Sequence, residues 1–144
     1  MFIWTYFFFF IANHIKIAFE DVYGFGNSPI TFTAPEYANK SINTNAENVY
    51  VYECEFWNCS SYSHGGALSC GGSVCRLLVE DSLFISCKTS NKWGGGIYFD
   101  RDDNNNECVM RRICAFDCIS TYSPNYSEGQ FAFVLTSSDK RNNV

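Results

Sequence analysis

Apolar and polar residues alternate along three short stretches of the chain, with the period of two that is typical of a half-buried β-strand. They lie at 49–52, 77–79 and 109–113. Each is followed by a Phe–Cys motif, a polar stretch and a glycine-containing turn, after which comes a second apolar stretch. The second stretches lie at 67–69, 97–99 and 131–133. The pattern predicts an all-β chain in which one arrangement of strands and turns occurs three times.

The motifs between these strands repeat at nearly constant spacing. Phe-x-x-Cys occurs at Phe56–Cys59 and 28 residues later at Phe84–Cys87. Gly-Gly pairs occur at Gly65–Gly66 and 30 residues later at Gly95–Gly96. Glycine suits such turns because it adopts positive φ and lets successive repeats approach closely. A degraded third copy of the two motifs contains Phe116, Cys118 and Gly129.

The small size of each unit predicts how the units assemble. One turn of short strands cannot bury its own apolar face, so copies of it must coil and stack. We expect one interior column of phenylalanines and one of cysteines. The columns consist of Phe56, Phe84 and Phe116, and of Cys59, Cys87 and Cys118. The predicted fold class is all-β, a short parallel β-helix (solenoid) of about three rungs.

The motifs at Gly65–Leu68 and Phe56–Cys59 resemble the GGA[ILV] and FxxN repeats of polymorphic outer-membrane proteins. They are still more similar to the version with Cys in place of Asn, which occurs in large families of β-helical surface proteins of protozoan parasites. The resemblance covers residues 49–133. It implies a right-handed parallel β-helix, a surface location and an adhesin-like role, and it implies no catalytic residues.

The N-terminus is a strongly hydrophobic segment. The run from Met1 to Ala12 has the length of a signal-peptide core and is too short to span a bilayer. We therefore expect a secreted or cell-surface protein; an uncleaved membrane anchor and a plug for the open end of the core are the alternatives. The predicted organisation is a signal-like or anchor segment at 1–19, a cap at 20–48, repeats at 49–135 and a polar tail at 136–144.

Eight cysteines in 144 residues indicate an oxidising compartment if they form disulfides. Cys75 is the candidate disulfide partner of Cys70, and Cys108 is the alternative partner of Cys75. The cysteines of the interior column can instead remain thiols, because free cysteine packs as a small hydrophobic residue. No Cys-x2-Cys element with a matching histidine pair is present, so we expect neither a structural metal nor a cofactor.

Charge and histidine content argue against several functions. A net charge of −5 does not favour nucleic-acid binding, which needs clustered Lys and Arg. His14 and His64 are the only histidines that could activate a nucleophile, and His64 abuts a turn. We expect a non-catalytic protein. The alternative is a polysaccharide-active enzyme in which Glu53, Asp81 and Arg111 meet in one groove.

Each repeat has an aromatic residue in the polar stretch between the cysteine and the glycine turn. Stacking should bring these residues to one side of the solenoid, where rigid rings and small polar neighbours form an adaptable recognition surface. The candidate binding residues are Tyr62, His64, Trp93 and Tyr122. We expect a host protein or glycan as the partner. The structural alternative is that each aromatic ring only covers the edge of the core. A further alternative is a non-functional fragment of a longer surface solenoid.

Overall fold

The structure is a computed structural model that describes residues 18–34, 40–100, 106–121, 131–136 and 142–143. The regular structure of these residues is almost entirely β, as the alternating pattern predicts, with one short helix at 18–23. The strands are short, which fits the frequent turn residues. They are β1 (Ile30–Thr33), β2 (Ile42–Thr44), β3 (Asn48–Tyr52), β4 (Glu55–Trp57), β5 (Ser60–Ser61), β6 (Leu68–Gly71), β7 (Arg76–Glu80), β8 (Leu83–Ile85), β9 (Lys88–Thr89), β10 (Ile97–Asp100), β11 (Glu107–Arg111), β12 (Cys114–Phe116), β13 (Ile119–Ser120), β14 (Ala132–Leu135) and β15 (Asn142–Asn143).

These strands form four parallel sheets. Sheet A has the order β1-β3-β7-β11-β15, and sheet B has the order β14-β10-β6-β2. Sheet C consists of β12-β8-β4 and sheet D of β13-β9-β5. Neighbouring strands come from successive repeats and pair residue by residue, for example Val49 with Leu77 and Leu77 with Cys108. Each of the three repeats therefore adds one strand to every sheet.

Alternate residues of the strands point into a common core. Val49 and Val51 of β3 are fully buried, as period-two alternation requires. Phe56 and Phe84 are also fully buried, and their rings stack with centroids 4.8 Å apart. The first two repeats thus place a phenylalanine in the interior column that their motif predicts.

Phe116 does not join this column, which corrects the sequence prediction. The strand register aligns Ala115 with Phe84 and Phe116 with Ile85, so Phe116 faces outward and is 69% exposed. The physical reason is the period of a strand, in which a shift of one residue moves a side chain to the opposite face. Phe131 packs against Phe84 instead, edge to face, with ring centroids 5.3 Å apart.

The cysteine column follows the thiol alternative. Cys59, Cys87 and Cys118 are buried beside the phenylalanines. The thiol of Cys87 donates a hydrogen bond to the carbonyl oxygen of Phe56 at 3.5 Å, and the thiol of Cys118 donates to that of Phe84 at 3.5 Å. The thiols of Cys87 and Cys118 thereby contact the backbone of the preceding repeat.

The candidate disulfides are wrong for this structure. All eight cysteines lie in the described residues, and none is disulfide-bonded. Cys70 points into the core from sheet B and Cys108 from sheet A, whereas Cys75 lies in the turn before β7. Burial raises the pKa of the Cys108 thiol to about 12, so it stays protonated at neutral pH and is a poor nucleophile. These cysteines act as small hydrophobic residues of the core.

The glycine turns align one residue away from the predicted pairing. Leu68 pairs with Ile97, so Gly65 corresponds to Gly94 and Gly66 to Gly95. Gly65 and Gly94 have φ of 56° and 73°, which explains why glycine is needed there. A Cβ at Gly66 would collide with the carbonyl oxygen of Gly95, and one at Gly96 would meet the ring of Phe131 at 2.7 Å. Gly129 lies outside the described residues.

Two further turns of each repeat contain a non-glycine residue with positive φ. After sheet A the residues are Glu53, Asp81 and Arg112, with φ of 51°, 48° and 52°. After sheet C they are Asn58, Ser86 and Asp117, with φ of 53°, 51° and 53°. Asn and Asp tolerate this region better than other non-glycine residues. The same backbone turn therefore occurs in all three repeats, although its side chains differ in how well they tolerate positive φ.

Ser86→Asn is expected to raise the free energy of unfolding by about 0.5 kcal/mol, because Asn adopts positive φ at lower cost. The Asn amide can also keep the donor that Ser86 offers to Asp117, at 3.2 Å from the hydroxyl oxygen. Urea unfolding measures the change. The matched control is Ser60→Asn in β5, which is exposed and should gain nothing because Asn is unfavourable in strands. Equal gains in both variants would contradict the explanation.

The helix at 18–23 packs on the outer face of sheet A. Phe19 is fully buried there in a second apolar cluster with Tyr50, Leu78 and Val109. The hydroxyl of Tyr23 donates to the carbonyl oxygen of Leu77. The last two residues of the segment assigned as signal-like or anchor, 18 and 19, thus lie against the sheet. No helix in the described part of the chain is long and apolar enough to cross a membrane.

The C-terminal segment also adds to sheet A. Residues 142–143 of the predicted polar tail form β15, which pairs with Cys108 and Val109 of β11. A free polar tail is expected to fray. Backbone pairing with β11 instead extends the sheet beyond the third repeat.

Candidate functional site

The outer face of sheet B carries polar and aromatic residues in register. Ile42, Leu68 and Ile97 point into the core from β2, β6 and β10, so the residues that follow them face outward. Strand pairing places these residues in one row, which consists of Asn43, Ser69, Tyr98 and Phe133. A second row, two residues farther along, consists of Gly71, Asp100 and Leu135.

Four rings gather on this face and form what we call the aromatic cluster, His64, Trp93, Tyr98 and Phe133. The ring of His64 stacks on that of Tyr98 with centroids 4.0 Å apart. Phe133 stacks on Tyr98 at 5.5 Å and on Trp93 at 5.1 Å, and His64 lies 5.8 Å from Trp93. Such offset contacts are favourable between aromatic rings. The cluster joins side chains from all three repeats.

A groove runs beside the aromatic cluster. Its volume is about 330 Å³, which is within the range of small-ligand pockets. The groove is lined by Asn43, Asn45, Ser63, His64, Ser69, Gly71, Gly72, Tyr98 and Asp100. Most of these side chains are polar but uncharged. Two of them, His64 and Tyr98, are rings of the aromatic cluster.

Hydrogen bonds fix the rings that border the groove. The hydroxyl of Tyr98 donates to Oδ2 of Asp100 at 2.9 Å, and Ser63 Oγ lies 3.2 Å from Nδ1 of His64. Oδ1 of Asp100 is buried without a hydrogen-bond partner among the described residues. Burial, and then the nearby charge of Lys92, lower the pKa of His64 below 6.5, so its ring is neutral at pH 7.

The structure brings together only some of the residues that the sequence singles out for binding. His64 and Trp93 lie in the aromatic cluster. Tyr62 is 77% exposed and lies outside it. Tyr122 lies outside the described residues.

Tyr98 and Phe133 are the members of the cluster that the sequence analysis misses as binding residues. Both belong to predicted strands, and period-two alternation alone would have placed them on the outer face. Asn43 and Asn45 had no such signal, because the strand β2 precedes the first recognisable repeat. Their place beside the groove depends on the pairing of β2 with β6.

A second polar cluster lies on sheet A, around a buried carboxylate. Glu80 is 3% exposed, and Oε2 accepts a hydrogen bond from the hydroxyl of Tyr50 at 2.7 Å. Nε of Arg111 lies 2.7 Å from Oε1 of Glu80, as an ion pair without hydrogen-bond geometry. Arg112 approaches the same oxygen at 3.3 Å. The hydrogen bond to Glu80 and burial raise the pKa of Tyr50, with burial the larger cause.

The residues considered for an enzyme occupy this cluster and its edge. Glu53 and Asp81 do stack at the same turn of successive repeats, but the arginine in that column is Arg112. Arg112 binds both carboxylate oxygens of Asp81, at 2.6 and 2.8 Å, and holds the pKa of Asp81 below its usual 3.8. Arg111 instead contacts Glu80. Asp81 therefore stays ionised across the neutral range and has its oxygens engaged.

The described residues contain no group of three or more His, Cys, Asp or Glu side chains that could hold a metal ion. No protein-family model, no curated protein and no solved structure matches the chain.

Proposed function

We propose that the chain is a right-handed parallel β-helix module of a secreted or cell-surface protein and that it binds a host protein or glycan without catalysis. The parallel sheets support the fold, because each repeat visits sheets A, C, D and B in the same order. Such a path is that of a solenoid. Right-handed connection between parallel strands is the strongly preferred hand, and it supports the proposed handedness.

The aromatic cluster is the observation that carries the binding role. Its rings lie on an outer face, apart from the core that Phe56 and Phe84 fill. Rigid rings flanked by small polar side chains provide contact area at low entropic cost and are enriched at recognition sites. The adjoining groove is lined by further hydrogen-bonding side chains, among them Asn43 and Ser69.

A polysaccharide-active enzyme is the second candidate, and the charges favour it less. A general acid must hold a proton near the working pH, whereas Asp81 is kept ionised by Arg112. Of the other two residues considered, Glu53 occupies the same turn one repeat earlier, and Arg111 contacts Glu80 on sheet A. We assign this cluster a structural role.

Replacing His64 and Trp93 together by alanine is expected to weaken binding of a partner by about tenfold or more, as for central residues of an interface. The probes are arrays of immobilised neutral and acidic glycans and of extracellular-matrix proteins. Tyr62→Ala is the matched control, since this exposed ring lies outside the cluster, and its affinity should equal that of the unchanged protein. Circular dichroism should show intact β structure in all three proteins. Absence of any bound probe, or equal affinity of the double variant, would refute the binding role.

Export and independent folding of the chain are each tested by a separate experiment. A reporter fused to residues 1–19 should enter the secretory route, and a reporter that stays in the cytosol would refute export. The purified chain should be a soluble, β-rich monomer in size-exclusion chromatography. Aggregation would favour a fragment of a longer solenoid, because exposed strand edges pair with other chains.

A further inference from the structure

The groove on sheet B exists because small residues stand in the middle of its two rows. Ser69 separates Asn43 from Tyr98 in the first row, and Gly71 stands next to Asp100 in the second. A Cβ placed on Gly71 would have no atom within 4 Å, so the space above this residue is open. The fold does not need this opening, because Gly71 has no positive φ that would require glycine.

The groups around the groove alternate in hydrogen-bonding character. With its amide nitrogen turned toward the carbonyl oxygens of Thr44 and Gly71, at 3.3 and 3.0 Å, Asn45 presents its amide oxygen as an acceptor. Asn43 and Ser69 contribute both donors and acceptors. Asp100 also lines the groove, and its Oδ2 accepts a hydrogen bond from the hydroxyl of Tyr98.

Charge narrows the class of ligand. The lining residues include one carboxylate, no Lys or Arg, and a histidine that is neutral at pH 7. Lys92 acts on His64 from outside the lining, so an anionic ligand would meet the carboxylate of Asp100 without a cation among the lining residues, in a chain whose net charge is −5. The ring of His64, which is half-buried against Tyr98, offers apolar surface on one side. A compact ligand with many hydroxyl groups, an apolar face and no charge fits these features.

We propose that this groove binds a sugar ring of a neutral glycan, an inference that rests on the proposed binding function and gives it a site and a ligand class. The sugar ring packs its apolar face against the half-buried ring of His64. Its hydroxyl groups bond with Asn43, Asn45, Ser69 and Asp100 on the other sides. The open space above Gly71 receives the ring.

Gly71→Val tests the site by filling it. Valine suits a strand better than glycine, so the variant should melt at the same or a higher temperature. Its affinity for immobilised neutral oligosaccharides, and for the best of them in solution by calorimetry, should fall at least about tenfold, because the side chain occupies the position of the ligand. Ser60→Val is the matched control on sheet D, where an added apolar side chain is exposed and affinity should not change.

The outcomes separate this inference from the proposed function. Loss of affinity in Gly71→Val with unchanged melting supports the groove. Binding of acidic glycans or matrix proteins alone, with sensitivity to the His64 and Trp93 double variant, overturns the groove and leaves the binding function standing. Unchanged affinity of Gly71→Val for a neutral glycan also overturns the groove. Failure of the unchanged protein to bind any probe overturns both.

Discussion

Phe84→Ala is expected to lower the free energy of unfolding by about 3–5 kcal/mol, the range observed when a buried phenylalanine is truncated. Phe84 is fully buried between two other rings, Phe56 at 4.8 Å and Phe131 at 5.3 Å. The strand partner of Phe84 on the side of the third repeat is Ala115, whose side chain is too small to fill the cavity. Urea unfolding followed by circular dichroism gives the change.

Phe116→Ala is the matched control for this prediction, because the same residue type is removed from the same motif. Phe116 is 69% exposed, and its replacement should change the free energy of unfolding by less than about 0.5 kcal/mol. If Phe84→Ala unfolds the protein outright, Phe84→Leu should give a folded variant with a loss below about 1.5 kcal/mol. Equal losses for the alanine variants would mean that the assigned register is wrong.

The repeat pattern was enough to predict the strands and the interior partners of the first two repeats. Period-two alternation and the spacing of Phe-x-x-Cys fix which residues stack, as Phe56 and Phe84 do. The third repeat has one residue fewer between Phe and Cys, and motif matching then assigned Phe116 to the wrong face. Strand register depends on the number of residues between paired positions, whereas motif matching depends on residue type and does not detect a missing residue. The one-residue displacement of Gly65 from its predicted partner has the same origin.

The candidate site was less accessible to sequence reasoning because it is made by neighbours across strands. His64 and Trp93 could be named from their loops, whereas the stacking of His64 on Tyr98 depends on the register of β6 and β10. Cysteine pairing failed for a similar reason. Both predicted bridges need Cys75, whose thiol lies near Ser73 and Glu47 in the turn before β7, whereas the side chains of Cys70 and Cys108 point into the core.

Glu80→Ala is expected to lower the free energy of unfolding by about 1–3 kcal/mol, the cost of leaving a buried polar group without its hydrogen-bond partner. The carboxylate is buried and is the acceptor for Tyr50 and the counter-ion of Arg111. Without it, the hydroxyl of the buried Tyr50 loses its acceptor, which accounts for most of the loss. The guanidinium of Arg111 also loses its counter-ion, but this side chain is 40% exposed and water replaces part of the interaction. Glu80→Gln should lose less, because the amide oxygen still accepts from Tyr50. The free energy of unfolding at pH 7 provides the comparison.

Asp81→Asn serves as the control, since Asn tolerates the positive φ of this position and Arg112 lies in solvent. Its loss should be much smaller than that of Glu80→Ala. The pKa of Asp81 is depressed in the folded protein by its hydrogen bonds with Arg112, so its stabilisation is present above the unfolded value near 3.8 and disappears as the pH falls through the folded value. Urea unfolding of Asp81→Asn between pH 2 and pH 5 should therefore show a weaker dependence on pH than the unchanged protein. A variant with the same pH dependence would mean that Asp81 gains no stabilisation from Arg112, whereas a loss as large as that of Glu80→Ala would place the stabilising carboxylate at Asp81 rather than at Glu80.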